Sequence, residues 1–117
     1  MDFVSGQRGK KMVDLTEMNK LESYLKERHI QYERIDTDRV LDAKGLIVRL
    51  ERHQICVPSA HGSNREWDVI CHYGSYGYEA GLLEIYGTLV NEKADGDSVV
   101  GYLTADDVIK RIERKEE

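Results

Sequence analysis

The chain has 117 residues, a net charge of −5 at pH 7, 40% hydrophobic and 33% charged residues, and two cysteines. This length fits one globular domain, and two cysteines are too few for a secreted disulfide scaffold. The acidic charge disfavours direct nucleic-acid binding, and no apolar run is long enough to cross a bilayer, so we expect a cytoplasmic protein that binds neither nucleic acid nor membrane.

The N-terminal residues differ in composition from the rest of the chain. Residues 1–13 are mostly polar, and the apolar pair Phe3 and Val4 is too short for a signal-peptide core. We expect residues 1–13 to form a flexible extension, with Met12 as a candidate natural start. Residues 14–117 are expected to form a single α+β domain.

A capping box predicts the start of the first helix, with Asp14 at the N-cap and Glu17 three residues later. Three apolar residues then recur at helical spacing: Met18, Leu21 and Leu25. The pattern predicts a helix that ends near Arg28 and packs one face against a core.

The middle of the chain predicts strands that are mostly antiparallel. Apolar and β-branched residues mark six candidate segments: residues 32–36, 46–50, 53–58, 66–73, 82–90 and 99–103. The pattern of residues 82–90 would also permit a short helix. Short connections favour a meander of about five strands.

The segments 53–58 and 66–73 predict a hairpin, because the residues between them include Gly62, Ser63 and Asn64. Pairing Ile55 with Cys71, and Val57 with Val69, places four apolar side chains on one side of the sheet. In that register Cys56 points away from Cys71, which excludes a disulfide between them.

The C-terminal part predicts a turn followed by a second helix. Asp95-Gly96 is typical of a hairpin turn, and Thr104 caps a helix with Asp107 three residues on. The inner face of that helix is apolar: Val108, Ile109 and Ile112. The predicted fold is therefore an antiparallel β-meander flanked by an N-terminal and a C-terminal helix.

Candidate metal ligands and nucleophiles lack the spacing that their chemistry needs. Asp95 and Asp97 are too few for a calcium loop. His53, His61 and His72 could converge across the hairpin, but the sequence has no CxxC or HxxxH pair of the kind that binds zinc. We expect no metal and no cofactor. An enzyme using Cys71 or His72 ranks third among our hypotheses, because adjacent strand residues point to opposite faces.

The connection Gly74–Gly81 alternates glycine with tyrosine, which favours a recognition surface, since glycine permits close backbone approach and tyrosine offers rigid contact area. The alternative is a bent connection whose tyrosines cover the core. The predicted contact residues are Trp67, His72, Gly74, Ser75, Tyr76, Gly77, Tyr78, Glu79 and Arg52.

Three segments carry a resemblance to a known group of proteins: residues 53–58 (HQICVP), 67–84 (WDVICHYGSYGYEAGLLE) and 97–108 (DSVVGYLTADDV). Across residues 18–113 the chain resembles small, uncharacterised accessory proteins carried by phages and prophages of Gram-positive gut bacteria. The resemblance implies a mobile-element setting. It supplies no activity and no catalytic residue.

Two hypotheses of function follow for this connection. The first is a non-enzymatic accessory protein that binds a host or phage protein. The second is a module that binds a signalling nucleotide, with the tyrosines stacking the base and Arg49, Arg52 or Arg65 meeting the phosphates. A homodimer is the preferred assembly, because a sheet this small leaves an edge strand to pair.

Overall fold

A computed structural model describes residues 13–116. Along the chain the elements are α1 (Thr16–Glu27), β1 (Glu33–Thr37), β2 (Val40–Leu41), β3 (Ile47–Arg49), β4 (Arg52–Val57), β5 (Trp67–Ile70), a 3-10 turn (Tyr78–Ala80), β6 (Leu83–Gly87), α2 (Glu92–Asp95), β7 (Val99–Leu103) and α3 (Ala105–Glu116). All but the last residue of the predicted extension, residues 1–12, lie outside the described residues.

Five strands form one antiparallel sheet in the order β1-β4-β5-β6-β7. The apolar sides of α1 and α3 pack on one face of it, around a core that includes Leu21, Ile55, Val69, Ile85 and Val108. The predicted α+β fold with terminal helices is therefore confirmed. Within residues 13–116 no helix is both long and apolar enough to span a bilayer.

The helix α1 has the predicted apolar face, with Met18, Leu21 and Leu25 fully buried. Its predicted capping box is wrong in both members, because Leu15 occupies the N-cap position predicted for Asp14. Asp14 Oδ1 accepts the backbone N–H of Thr16 at 2.9 Å. Glu17 Oε1 instead accepts the N–H of Ala105, the first residue of α3, at 2.7 Å. The capping carboxylate therefore ties the two helices together.

The predicted hairpin of β4 and β5 is confirmed in which side chains face the core, but the predicted cross-strand pairs are wrong. Ile55 lies opposite Val69, and Val57 lies opposite Trp67, a shift of two residues from the prediction. Because side chains alternate with a period of two, such a shift leaves the same residues on the core side, and the apolar pattern cannot detect it. Neither cysteine forms a disulfide, and Cys56 is buried as well as Cys71.

The predicted turn at Asp95-Gly96 is wrong, because the chain forms the one-turn helix α2 there. Asn91 Oδ1 caps it by accepting the N–H of Ala94 at 3.2 Å. The carboxylate of Asp95 accepts two hydrogen bonds from the Arg111 guanidinium, at 2.9 and 3.0 Å. This bidentate pair joins α2 to α3.

The strand predicted at residues 46–50 exists as β3, but it lies outside the main sheet. It pairs only with β2, forming a two-stranded ribbon between β1 and β4. Asp42 Oδ1 closes the turn by accepting the N–H groups of Lys44 and Leu46, at 2.8 and 2.9 Å. We call residues 40–50 the apolar hairpin.

The apolar hairpin leaves its aliphatic side chains in solvent. Six of them are between 36% and 63% exposed: Val40, Leu41, Leu46, Ile47, Val48 and Leu50. The expectation that residues 46–50 belong to the meander is therefore wrong. The sheet position beside β1 is taken by β4, so the core formed by residues 13–116 does not include the apolar residues of the ribbon.

Candidate functional site

The glycine-tyrosine connection forms most of the wall of a cavity of about 430 Å³. This volume lies in the range of small-ligand sites, roughly 300–1,000 Å³. We call it the tyrosine pocket. Its lining residues are Tyr73, Gly74, Ser75, Tyr76, Gly77, Tyr78, Glu79, Ala80 and Tyr102.

The connection is folded by local hydrogen bonds and by one obligatory glycine. The Ser75 hydroxyl accepts the N–H of His72 at 3.0 Å and donates to its carbonyl at 2.8 Å. Gly77 has φ +96°, and a Cβ there would lie 2.8 Å from the Cβ of Leu82. A side chain at position 77 would therefore push the connection away from the residues beneath it.

Three of the four tyrosine rings of the pocket are open to solvent. Tyr73, Tyr76 and Tyr102 are 57–66% exposed, whereas Tyr78 is half-buried against the core. Tyr76 stacks on Tyr102 with ring centres 6.1 Å apart, and Tyr73 meets Tyr78 edge-on at 5.6 Å. The pocket therefore offers rings in two orientations.

Three lining residues are absent from the predicted contact residues: Tyr73, Ala80 and Tyr102. Tyr102 is the one that lies far from the connection in sequence. It has φ +60°, a rare conformation for an aromatic residue, beside an irregularity in the pairing of β6 with β7. A Cβ on the preceding Gly101 would overlap the side chain of Tyr76, so the connection lies directly on β7. A glycine within a predicted strand was the available signal for such a bulge.

Substitutions at Tyr102 should rank by their tolerance of positive φ. Asparagine accepts this conformation and a β-branched residue resists it. We expect Tyr102→Asn to be more stable than Tyr102→Val by about 1 kcal/mol, measured by urea denaturation. Equal stabilities would contradict the strained backbone at this position.

Behind the pocket a buried hydrogen-bonded chain begins at Tyr78. Its hydroxyl donates to Glu51 Oε1 at 2.5 Å, and the other oxygen of Glu51 lies 2.6 Å from His53 Nε2. His53 Nδ1 lies 2.7 Å from Asp36 Oδ1. Each ring nitrogen of His53 therefore lies within hydrogen-bond distance of a carboxylate oxygen.

The pKa values of this chain follow from its contacts. Burial acts to raise the pKa of Glu51, but hydrogen bonds from Tyr78, His53 and the N–H of Val13 outweigh it, and the net pKa is lowered. Burial and the Glu51 carboxylate raise the pKa of the Tyr78 phenol. Glu51 is therefore an anion that accepts from a neutral phenol.

The same chain continues to the first helix. Arg34 Nε donates to Asp36 Oδ2 at 3.0 Å, and its NH1 group donates to Glu22 of α1 at 3.0 Å. Glu22 also accepts the hydroxyl of Tyr32, and burial together with this carboxylate raises the pKa of Tyr32 to about 12. The floor of the pocket is thereby anchored to α1.

Cys71 and His72 lie beneath the connection, where burial and backbone hydrogen bonds fix their surroundings. Cys71 is fully buried, and burial together with Glu51 raises the pKa of its thiol to about 11. His72 Nδ1 accepts the backbone N–H of His53 at 3.0 Å, while His61 is exposed near Glu33. The thiol is protonated at neutral pH, and the three histidine rings do not converge.

His72 should make the stability of the protein depend on pH. Burial, Arg52 and His53 lower its pKa to about 4, from 6.5 in an unfolded chain. Between these values the unfolded state binds more protons, so the free energy of unfolding should rise from pH 4 to pH 6.5. His72→Asn keeps an acceptor and removes the titration, so its slope in urea denaturation should be flatter; an unchanged slope would contradict this.

The structure separates the predicted contact residues into two groups. Six of them line the tyrosine pocket: Gly74, Ser75, Tyr76, Gly77, Tyr78 and Glu79. Three do not. Trp67 was predicted as a surface contact and is instead 4% exposed within the core. His72 is half-buried beneath the connection, and Arg52 is exposed on β4 outside the pocket.

The tyrosine pocket adjoins the root of the apolar hairpin. Glu51 follows Leu50 directly, its carbonyl accepts the N–H of Tyr73 at 2.9 Å, and its side chain accepts the hydroxyl of Tyr78. One residue therefore links both features. We call the apolar hairpin and the tyrosine pocket together the contact surface.

Among residues 13–116 no three His, Cys, Asp or Glu side chains are arranged to hold a metal ion. Comparison of the chain with protein families, with curated proteins and with solved structures found no match.

Proposed function

We propose that this chain is a protein-binding accessory module of a phage or prophage, and that it captures a host or phage protein through the contact surface. The observation that carries the proposal is the exposure of six large aliphatic side chains on the apolar hairpin. The mobile-element setting rests on the resemblance of residues 53–58, 67–84 and 97–108.

The apolar hairpin has the properties of a protein-binding surface. Its exposed aliphatic side chains present an area on the order of 500 Å², close to the largest apolar patch of a typical monomer, roughly 300–600 Å². An isolated two-stranded hairpin is marginally stable in water. A partner that covers the ribbon would bury apolar area and hold the two strands together.

The tyrosine pocket favours a foreign partner over a second copy of the chain. Pairing of two identical hairpins would cover the ribbons and leave Tyr73, Tyr76 and Tyr102 in solvent. A different protein can contact the ribbon and the pocket at once. Tyrosine is also among the residues enriched at the energetic centres of interfaces.

The nucleotide hypothesis lacks its phosphate partners in this arrangement. Arg49, Arg52 and Arg65 do not line the tyrosine pocket, and of residues 13–116 Glu79 is the one charged residue in its lining. Arg65 instead donates to the carbonyl of Ala60 at 2.7 Å. The contact surface therefore supports protein binding better.

The proposal is tested by capture from a lysate of a Gram-positive gut bacterium with matched variants, followed by titration of the purified partner. We expect Val48→Asp and Tyr76→Ala each to weaken binding by at least about 30-fold, as for interface hot spots. Lys110→Ala on the exposed side of α3 is the control. Equal binding by all four proteins would contradict the proposal.

Sedimentation of the purified proteins separates a foreign partner from a second copy. We expect wild type and Val48→Asp both to be monomers with the same circular dichroism spectrum. A wild-type dimer that becomes a monomer in Val48→Asp would show that a second copy covers the apolar hairpin, and would overturn the foreign partner.

A further inference from the structure

We infer that the tyrosine pocket binds a cationic group, an alkylammonium or a guanidinium. This inference rests on the proposed function, since the partner would supply the cation as a lysine or arginine side chain. It deepens that proposal by naming the chemistry that the pocket recognises.

The pocket brings four tyrosine rings to one cavity. The faces of tyrosine rings carry negative potential and attract cations within about 6 Å of the ring centre. Tyr76 and Tyr102 stack with an interplanar angle of 22°, whereas Tyr73 and Tyr78 meet at 70°. Rings in both orientations border the same 430 Å³ cavity.

The charges around the pocket are mostly negative. Glu79 lines it, and two buried carboxylates stand directly behind its wall: Glu51 accepts from the Tyr78 hydroxyl, and Glu84 accepts the backbone N–H of Tyr76 at 2.6 Å. Arg39 acts on Tyr78 electrostatically but does not line the cavity. Among residues 13–116, a cation in the pocket would therefore meet the carboxylate of Glu79 and the tyrosine rings, with no lysine or arginine in the lining.

The strained backbone of Tyr102 is a second, independent observation. Residues in sparsely populated conformations persist where the surrounding structure holds them, and they cluster at ligand sites. Here the strain places an exposed ring against Tyr76 at the edge of the pocket. Tyr102 is 66% exposed, so its ring contributes little to the core.

The inference is tested by NMR titration of the full chain at constant ionic strength, following the amide signals of Gly74 and Gly77. The probes are tetramethylammonium chloride, N-acetyl-arginine amide, N-acetyl-lysine amide, the neutral isostere neopentyl alcohol, and AMP. We expect saturable binding of the cations, at least tenfold tighter than that of the neutral isostere. Tighter binding of AMP, or equal binding of the neutral isostere, would overturn the inference.

Two variants identify the source of the binding. Tyr76→Leu keeps an apolar side chain and removes a ring, so cation affinity should fall at least fivefold, whereas Glu79→Gln should lower it less. Lys110→Ala is the control and should bind as wild type. Unchanged cation affinity in Tyr76→Leu would overturn the cation site.

The outcomes of this titration and of the capture experiment are distinguishable. If the cations fail to bind while Val48→Asp still abolishes capture, the cation inference is wrong and the protein-binding proposal stands. If the cations bind while no variant affects capture, the proposed function is wrong. The two amides and the free tetramethylammonium ion show whether the pocket prefers a side chain or a small quaternary ammonium.

Discussion

Replacing Glu51 with alanine is expected to lower the free energy of unfolding by about 3–5 kcal/mol, because it removes a charged acceptor from two hydrogen bonds that contribute about 1.5–3 kcal/mol each. The substitution removes the acceptor of two buried donors, His53 Nε2 and the Tyr78 hydroxyl. His53 is 1% exposed, so water cannot replace the lost carboxylate without opening the core. Urea denaturation at pH 7 measures the loss.

Glu113→Ala is the matched control for this prediction. Glu113 pairs with Arg28 at 3.5 Å on the surface, with both side chains about half exposed. Exposed pairs of this kind contribute about 0–1 kcal/mol. Similar losses in the two variants would show that the chain from Tyr78 to Asp36 does not hold the pocket floor as described.

Replacing Trp67 with alanine should cost about 3–5 kcal/mol, the loss typical of a large aromatic side chain removed from a core. Trp67 is 4% exposed and belongs to the core cluster. This expectation follows from its place on the inner face of β5 and opposes the sequence-based prediction of a surface contact. Thermal unfolding followed by calorimetry would measure it.

Tyr73→Ala is the comparison variant, since Tyr73 is 59% exposed and its loss should change stability by no more than about 1 kcal/mol. If Trp67→Ala does not fold, Trp67→Phe provides a milder core change that should still lower the melting temperature. Equal stabilities of Trp67→Ala and Tyr73→Ala would contradict the placement of Trp67 in the core.

The fold was largely predictable because it depends on periodicity. Met18, Leu21 and Leu25 repeat at helical spacing, and all three are buried as that spacing requires. The exact register of β4 and β5 was not predictable, since a shift of two residues leaves each side chain on the same face of the sheet. The capping partner of Glu17 belongs to a helix almost ninety residues away, which local pattern cannot reveal.

The apolar hairpin shows a limit of hydrophobic patterning. Leu46, Ile47 and Val48 read as a sheet strand, and β3 is indeed a strand, yet all three side chains are at least 50% exposed. An apolar run predicts a strand and does not show whether the chain's own core covers its side chains. Only the arrangement of strands shows that the core does not reach these residues.

The candidate site was predictable where its residues are contiguous. Tyr76, Tyr78 and Glu79 fall in one unusual connection and line one pocket. Tyr102 and Glu51 come to the same pocket from distant parts of the sequence. Tyr102 does so through its positive φ, and Glu51 through a carboxylate that accepts the Tyr78 hydroxyl. Contacts of this kind arise from the tertiary fold and leave only weak marks in the sequence.

Photo-crosslinking at position 48 tests most directly whether the apolar hairpin is where a partner binds. A photoreactive amino acid would replace Val48 in the full chain, with Lys93 on α2 as the control position, and the adducts formed in host lysate would be sized and sequenced. We predict one dominant adduct with a foreign protein from position 48, and we predict that the same adduct does not form from position 93. Identical adduct patterns at both positions, or an adduct made only of two copies of the chain, would contradict the account.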